Sequence, residues 1–186
     1  EDNNCDVVDP SGDDCKPWWD LGWTWSKPAI ARIAEYNSSE KNEPDDIFVA
    51  FFGGGWDESE KDRTGRHIYG VNVANGDVIV KQSIGVPLPG GVTVLDSDDD
   101  GFHDRVYFAD SDGSVWRIKY PAPNTSGATS AKAAEDGSEP GVIKRIWDFR
   151  NSLTDRQMFF HRPVAVSTIV EGGKKVWALT LGSGNR

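Results

Sequence analysis

Near both ends of the sequence, two short apolar runs follow one another with a polar turn between them. Each time, a polar residue and a proline precede the first run, and a cluster of glycines follows the second. The two copies of this pattern occupy residues 26–55 and 162–184. A repeated strand unit cannot bury its apolar faces alone, so neighbouring copies must stack. The repeat therefore predicts an all-β chain that forms the antiparallel four-stranded blades of a β-propeller.

Ten short runs rich in β-branched and aromatic residues lie between turn signals and predict strands. They form two sets of four and one set of two, at residues 28–33, 46–52, 67–73, 77–84, 91–95, 105–109, 114–120, 142–149, 162–166 and 175–181. Asn75-Gly76 predicts a two-residue hairpin turn, because both residues tolerate a positive φ. The count gives about two and a half blades, whereas a closed propeller has about four to eight. We expect an incomplete propeller, which is either a fragment of a longer polypeptide or a chain that docks against a second one.

The composition agrees with a folded all-β chain. Hydrophobic residues make up 37% and aromatic residues 11% of the sequence, which is more than disordered chains contain. The chain has 20 Gly and 10 Pro but one Met, which favours many turns over long helices. The formal net charge of −10 argues against a nucleic-acid partner. No apolar stretch reaches the roughly 18–20 residues that a membrane-spanning helix needs.

The sequence divides into an acidic N-terminal strap and the predicted partial propeller. The strap covers residues 1–22, and the propeller covers 23–186 with units at 23–85, 90–150 and an incomplete 162–186. Residues 121–141 lack large apolar side chains, which predicts a flexible loop inserted into the second unit.

Two cysteines, Cys5 and Cys15, lie in the strap. Their spacing is not that of a redox pair or a haem attachment motif. A disulfide between them would stabilise the chain by about 2–3 kcal/mol and would indicate an oxidising compartment; the alternative is two buried free thiols. The sequence begins at Glu1 without a Met, so we interpret it as a mature or excised segment of an extracellular protein.

Residues 96–104 have the spacing of a calcium-binding loop. Asp96, Asp98 and Asp100 occupy positions 1, 3 and 5 of an EF-hand-type loop, so their carboxylates are aimed at one point. Phe102 at position 7 would offer its backbone carbonyl, and Asp104 at position 9 would bind directly or through water. The sequence therefore predicts a calcium ion held by these five residues.

Two further observations refine this prediction. Gly101 at position 6 permits the sharp turn of such a loop, but position 12 is Tyr107 and not the bidentate Glu of an EF-hand. We therefore expect a short version of the loop that leads directly into a strand. The alternative is an Asp/Gly turn with scattered surface charge. That alternative explains poorly why five Asp fall within nine residues, since their mutual repulsion is costly without a cation.

Six segments in order resemble one known family of surface proteins. They are residues 25–32, 51–57, 68–72, 96–104, 105–110 and 113–117. This series resembles the C-terminal β-propeller of the PilY/PilC-type adhesins associated with the tip of type IV pili. The resemblance covers about residues 23–186, and its most specific part is the calcium loop with the Asp-Arg-Val-Tyr and Trp-Arg sequences that follow it.

The resemblance implies a calcium-bound propeller on the surface of a bacterium. Such a protein promotes pilus assembly, antagonises retraction and contributes to adhesion, and calcium occupancy is linked to the retraction switch. The implied partners are pilin or minor pilin subunits and a host or surface receptor. Calcium ligation carries over to Asp96, Asp98, Asp100, Phe102 and Asp104.

Two other functions remain open at this point. One is a free-standing extracellular binding module in which calcium is purely structural. The other is an enzyme, because residues 67–77 resemble the blades of quinone-dependent dehydrogenases. We predict no enzymatic activity, since His67, His103 and His161 lack metal-ligand spacing and are expected to face solvent.

Four tryptophans cluster near the end of the strap, at positions 18, 19, 23 and 25. They could form an aromatic platform that binds sugars. The interpretation we prefer is that they pack the strap onto the first blade, because large aromatic side chains contribute strongly to such cores.

Overall fold

The computed structural model describes residues 18, 20–35, 45–57, 64–120, 142–149, 158–169 and 175–184. These residues form strands joined by turns and loops, and none of them lies in a helix that could cross a membrane. The strands are β1 Ala29–Glu35, β2 Asp45–Gly53, β3 His67–Asn72, β4 Val78–Ser83, β5 Thr93–Leu95, β6 Arg105–Ala109, β7 Ser114–Lys119, β8 Val142–Asp148, β9 Val164–Ile169 and β10 Lys175–Thr180. The all-β prediction is confirmed.

The strands form two four-stranded antiparallel sheets and one antiparallel hairpin. The first sheet has the order β1-β2-β3-β4 and the second the order β5-β6-β7-β8, while β9 pairs with β10. Each sheet is a simple meander, in which every strand pairs with the next one along the chain. This is the arrangement expected of propeller blades, and it reproduces the predicted grouping of four, four and two.

The first strands of the three units lie side by side. Strand β1 contacts β5, and β5 in turn contacts β9. The Thr93 hydroxyl on β5 donates a hydrogen bond to the Pro163 carbonyl, directly before β9. The three units are therefore arranged in chain order with their first strands adjacent, as blades are around a propeller axis.

The hydrophobic core lies between the first and second sheets. Strand β2 shows the alternation that places it there: Val49 and Phe51 are fully buried, whereas Phe48 is half exposed. Side chains from both sheets and from their connection form one cluster, which comprises Ala31, Ile33, Ile47, Val49, Phe51, Ile68, Val80, Leu88, Val92, Val106, Phe108, Ile118 and Tyr120. Burial of each large side chain contributes about 1.5–3 kcal/mol, so the two blades stabilise each other.

The glycine cluster after β2 allows the connection between the sheets to pass close by. A Cβ atom on Gly53 would lie 2.3 Å from the Leu88 carbonyl oxygen, which no side chain could tolerate. The Gly55 N–H donates to the same carbonyl at 3.0 Å, and Gly55 has a φ of 107°, where L-residues are strained. The repeated glycines therefore mark the place where one unit connects to the next.

The predicted two-residue turn at Asn75-Gly76 is wrong. Strand β3 ends at Asn72 and β4 begins at Val78, and Gly76 has a positive φ of 81° while Asn75 does not. The Asn72 side-chain oxygen accepts the Ala74 N–H at 2.9 Å, and the Asn72 carbonyl accepts the Gly76 N–H at 2.9 Å. These local hydrogen bonds favour a longer loop.

The strap and the inserted loop fall mainly outside the described residues. Cys5, Cys15 and the predicted loop 121–141 all lie there, so the disulfide remains a prediction. The end of the strap is described, and Asp20 is buried against the first sheet.

Candidate calcium site

The predicted calcium loop joins β5 to β6 in the second sheet. Its backbone turns sharply at Asp99 and Gly101, which have φ values of 63° and 91°. The Asp96 carboxylate holds this turn, because its two oxygens accept the N–H groups of Asp99 at 2.7 Å, Asp100 at 3.3 Å and Gly101 at 2.9 Å. The residue at position 1 therefore organises the loop as well as offering a carboxylate.

Three of the predicted ligands come together. Asp96, Asp98 and Asp100 each contribute one carboxylate oxygen, and these oxygens lie within 4.8 Å of one another. Asp98 and Asp100 are exposed, and Asp96 is half-buried. The turn stays open to solvent and brings several carboxylate oxygens around one point. A hard cation such as calcium prefers this set of donors.

The charges of the three carboxylates affect one another. The surrounding loop partly desolvates the Asp98 carboxylate and so raises its pKa, and the negative charges of Asp100, Asp104 and Asp96 raise it further. Burial also acts to raise the pKa of Asp96, but hydrogen bonds from backbone N–H groups outweigh it and lower that pKa. Asp98 therefore experiences the repulsion of the neighbouring carboxylates, and a bound cation would relieve it.

Asp104 lies outside the group of three carboxylates. Its oxygens accept hydrogen bonds from the Ser97 N–H at 2.8 Å and the Ser97 hydroxyl at 2.7 Å. The Arg105 guanidinium contacts the same carboxylate at 2.5 Å. Asp104 is buried, and in this arrangement it closes the base of the loop.

Phe102 connects the loop to the first sheet. Its N–H donates to the Asp100 carboxylate at 2.9 Å, and its ring lies 4.3 Å below the guanidinium carbon of Arg32 on β1. Arg32 also pairs with Asp46 on β2 at 2.5 Å. The Phe102 side chain therefore packs against the neighbouring blade.

His103 adds a second connection to β1. Its N–H donates to the Arg32 carbonyl at 2.8 Å, and its Nδ1 atom accepts the Arg32 N–H at 3.2 Å. The expectation that the histidines face solvent is wrong for His103 and for His67, whose side chain is 19% exposed. It is correct for His161, which is exposed.

Lys175 connects the loop to the third unit. Its Nζ atom lies 2.6 Å from the Asp99 carboxylate and 4.7 Å from the centre of the Trp177 ring. Lys175 is the first residue of β10. The loop therefore belongs to the second sheet and contacts the first sheet and the hairpin as well.

A buried polar cluster on the first sheet was not predicted. Asp20 is 1% exposed and accepts a hydrogen bond from the Tyr69 hydroxyl. His67 Nδ1 and Lys81 Nζ lie 2.9 Å and 3.1 Å from its oxygens. Burial would raise the pKa of Asp20, but these partners outweigh it and lower the pKa to about 2. The cluster therefore fixes the end of the strap on β3 and β4.

The described tryptophans near the strap have different surroundings. Trp18 packs against the rings of Tyr69 and Phe52, at 5.5 Å and 6.3 Å, as the packing interpretation expects. Trp23 forms a backbone bridge with Trp56 and leaves its side chain 69% exposed. Trp25 is 47% exposed and lines a separate pocket.

No protein-family model matches the sequence, and no curated protein matches it either. Among solved structures, the fold is similar to the crystal structure of the Pseudomonas aeruginosa PilY1 C-terminal domain, with a TM-score of 0.58 and 18% sequence identity. The match covers 89% of this chain and 33% of that one, so the chain spans about a third of the solved domain. This similarity confirms the predicted resemblance at the level of the fold: the chain has the fold of part of a PilY1-like C-terminal domain.

Proposed function

We propose that this chain is a calcium-binding β-propeller module of a bacterial cell-surface protein that is associated with type IV pili. The observation that carries the calcium part is the convergence of the Asp96, Asp98 and Asp100 oxygens within 4.8 Å. The similarity of the fold to the PilY1 C-terminal domain supports the pilus part.

The chain's own residues would hold the ion and transmit its effect. Asp96, Asp98 and Asp100 supply carboxylates, Phe102 supplies its backbone carbonyl, and Asp104, which lies outside the group of three, binds through water. Calcium would supply the positive charge that offsets the repulsion between the carboxylates. The loop is thereby fixed in the conformation that contacts the neighbouring sheets.

The position of the loop suggests how calcium would act on the protein. Arg32 and His103 join the loop to the first sheet, and Lys175 joins it to the hairpin. Ordering the loop therefore strengthens the contacts among three blade units at once. Such coupling supports a role in controlling pilus assembly and retraction. The proposed partners are pilin or minor pilin subunits and, for adhesion, a host or surface receptor.

The second candidate is a free-standing extracellular binding module with purely structural calcium. The same contacts favour it, because a loop fixed between sheets is also what a stabilising metal site requires. The two functions differ in whether the protein associates with pili.

Thermal unfolding with and without calcium tests the metal site. At a calcium concentration 100 times its dissociation constant, the free energy of unfolding should rise by about 2.7 kcal/mol. Asp98→Asn should remove most of this gain. Asp99→Asn is the matched control, since it removes the same charge from the same loop but from a side chain that pairs with Lys175. An equal gain in wild type and Asp98→Asn would refute the assignment.

Cofractionation tests the pilus association. Cells that produce the native protein are sheared, and pili are purified with calcium or with a chelator. The proposal expects the protein in the pilus fraction, and less of it after chelation or in Asp98→Asn. A protein that stays entirely outside the pilus fraction would support the free-standing module instead.

A further inference from the structure

A pocket of about 230 Å³ lies where the first strands of the three units begin. Lys27 lies two residues before β1, Gly91 two residues before β5, and Arg162 two residues before β9, and all three line the pocket. The calcium loop follows β5 at its other end. The pocket and the calcium site therefore lie at opposite ends of the line of first strands.

Each of the three units contributes to this pocket the residue two positions before its first strand. This residue is a cation in the first and third units, and it is Gly91 in the second unit. A Cβ atom on Gly91 would lie 3.4 Å from the Arg162 Cβ and 3.5 Å from the Lys27 carbonyl oxygen. Because a glycine occupies this position, no side chain of the second unit projects towards the Arg162 Cβ and the Lys27 backbone.

Two aromatic rings complete the walls. Trp25 is 47% exposed, so its ring is available to a ligand. Phe160 is half-buried, and its ring packs against that of Trp56, with 5.6 Å between the two ring centres. The backbone of His161 packs against Gly90, where a Cβ atom would be 3.3 Å from it. This packing holds the Phe160–Arg162 segment against the second unit.

The charge of the pocket is opposite to that of the chain. The formal net charge is −10, yet the described residues that line the pocket include Lys27 and Arg162 and no Asp or Glu. An anionic group is the natural partner of such a pair, and the Arg guanidinium fork matches the two oxygens of a carboxylate. Aromatic walls favour a ligand that also presents a ring.

The size of the pocket limits the ligand further. Sites for drug-sized molecules are about 300–1,000 Å³, so 230 Å³ suits a single ring with a charged substituent. We propose that this pocket binds one carboxylated sugar unit, of the uronic acid type, with its carboxylate on Arg162 and Lys27 and its ring against Trp25. The site is independent of calcium.

Binding is tested by NMR on the full chain, with the indole N–H signal of Trp25 as the reporter. Glucuronate should shift this signal in a saturable way, and glucose at equal concentration should not. Arg162→Gln and Lys27→Gln should each weaken glucuronate binding about tenfold or more, as expected for loss of a hydrogen bond to a charged group. Lys144→Gln, at an exposed lysine of β8, is the control and should bind as wild type does.

Three outcomes would overturn the proposal. Glucose could shift the Trp25 signal as much as glucuronate, which would show that charge is not recognised. Acetate at equal concentration could displace glucuronate, which would show a bare anion site without recognition of the ring. Both Gln variants could bind as wild type while showing wild-type thermal unfolding, which would place binding elsewhere. Asp98→Asn should retain glucuronate binding, so this result is separable from the calcium proposal.

Discussion

The guanidinium carbon of Arg32 lies 4.3 Å from the centre of the Phe102 ring, so a side chain of the first sheet rests on the loop of the second. The two residues are also joined through the neighbouring His103, which exchanges two hydrogen bonds with the Arg32 backbone. The loop 96–104 therefore forms part of the contact between two blades.

This contact should be measurable as a coupling energy. Arg32→Met and Phe102→Leu, made singly and together, should show a coupling of about 0.5–1 kcal/mol in the free energy of unfolding, as expected for an exposed cation–π pair. Asp46→Asn is the control, because it removes the ion pair of Arg32 and leaves the contact with Phe102. Urea unfolding in saturating calcium gives the values. Additive effects of the two substitutions would show that the contact contributes nothing.

The buried carboxylate of Asp20 should make stability depend on pH. Its pKa in the folded protein is about 2, below the ordinary value near 3.9. A lowered pKa stabilises the folded state above pH 4, and this contribution is lost as the pH falls from about 4 towards 2. The difference corresponds to about 2 kcal/mol.

Urea unfolding at pH 6 and at pH 3 checks this expectation. The wild type should lose part of the Asp20 contribution between the two pH values, and Asp20→Asn should lack that component. If Asp20→Asn shows the full wild-type pH dependence, other groups are responsible.

The alternation along β2 gives a direct test of the core. Phe51 is fully buried and Phe48 is 50% exposed on the other face of the same strand. Phe51→Ala should destabilise the fold by about 3–5 kcal/mol, because it leaves a cavity between the two sheets. Phe48→Ala should stay within about 0.5 kcal/mol of wild type. Similar losses for both variants in chemical unfolding would contradict the packing of the two sheets.

The local features of the fold were predictable from the sequence, because they depend on neighbouring residues. The runs rich in β-branched and aromatic residues and the repeat that links 26–55 to 162–184 predicted the strands. The spacing of Asp96, Asp98 and Asp100 predicted that their carboxylates come together. The turn after β3 was mispredicted, since the general preference of Asn-Gly competes there with hydrogen bonds specific to Asn72.

The contacts between the loop 96–104 and the neighbouring sheets join residues that are distant in sequence. Arg32 and His103 are 71 positions apart, and Asp99 and Lys175 are 76 positions apart. No local pattern reports that these residues meet, because the meeting depends on how the blades stack. The same holds for Asp20 and Tyr69. A signal was present in the strap, where an Asp between tryptophans is a candidate for burial, but its partners could not be named.

The Cys5–Cys15 disulfide should be present in the native chain. Intact-mass measurement after alkylation under denaturing conditions should show no modification without reductant and two modifications after reduction. Two alkylated thiols in the unreduced native protein would contradict it. That result would also weaken the argument for an oxidising, extracellular location.

The outer edge of β10 should pair with additional strands. Strands β9 and β10 correspond to β1 and β2, and β2 pairs through its other edge with β3. Among the described residues, β10 pairs with β9 alone, and Val164, Val166, Ile169 and Val176 of this hairpin are 37–76% exposed. An exposed apolar edge is a template for another chain, so the isolated chain 1–186 should associate with a second copy through β10.

Val176→Lys should reduce this association in light scattering, while Val73→Lys, at an exposed valine in the turn after β3, should not. Hydrogen exchange can contradict this prediction. If the chain is a monomer and its β10 amides are protected as strongly as those of β2, this edge needs no further strand.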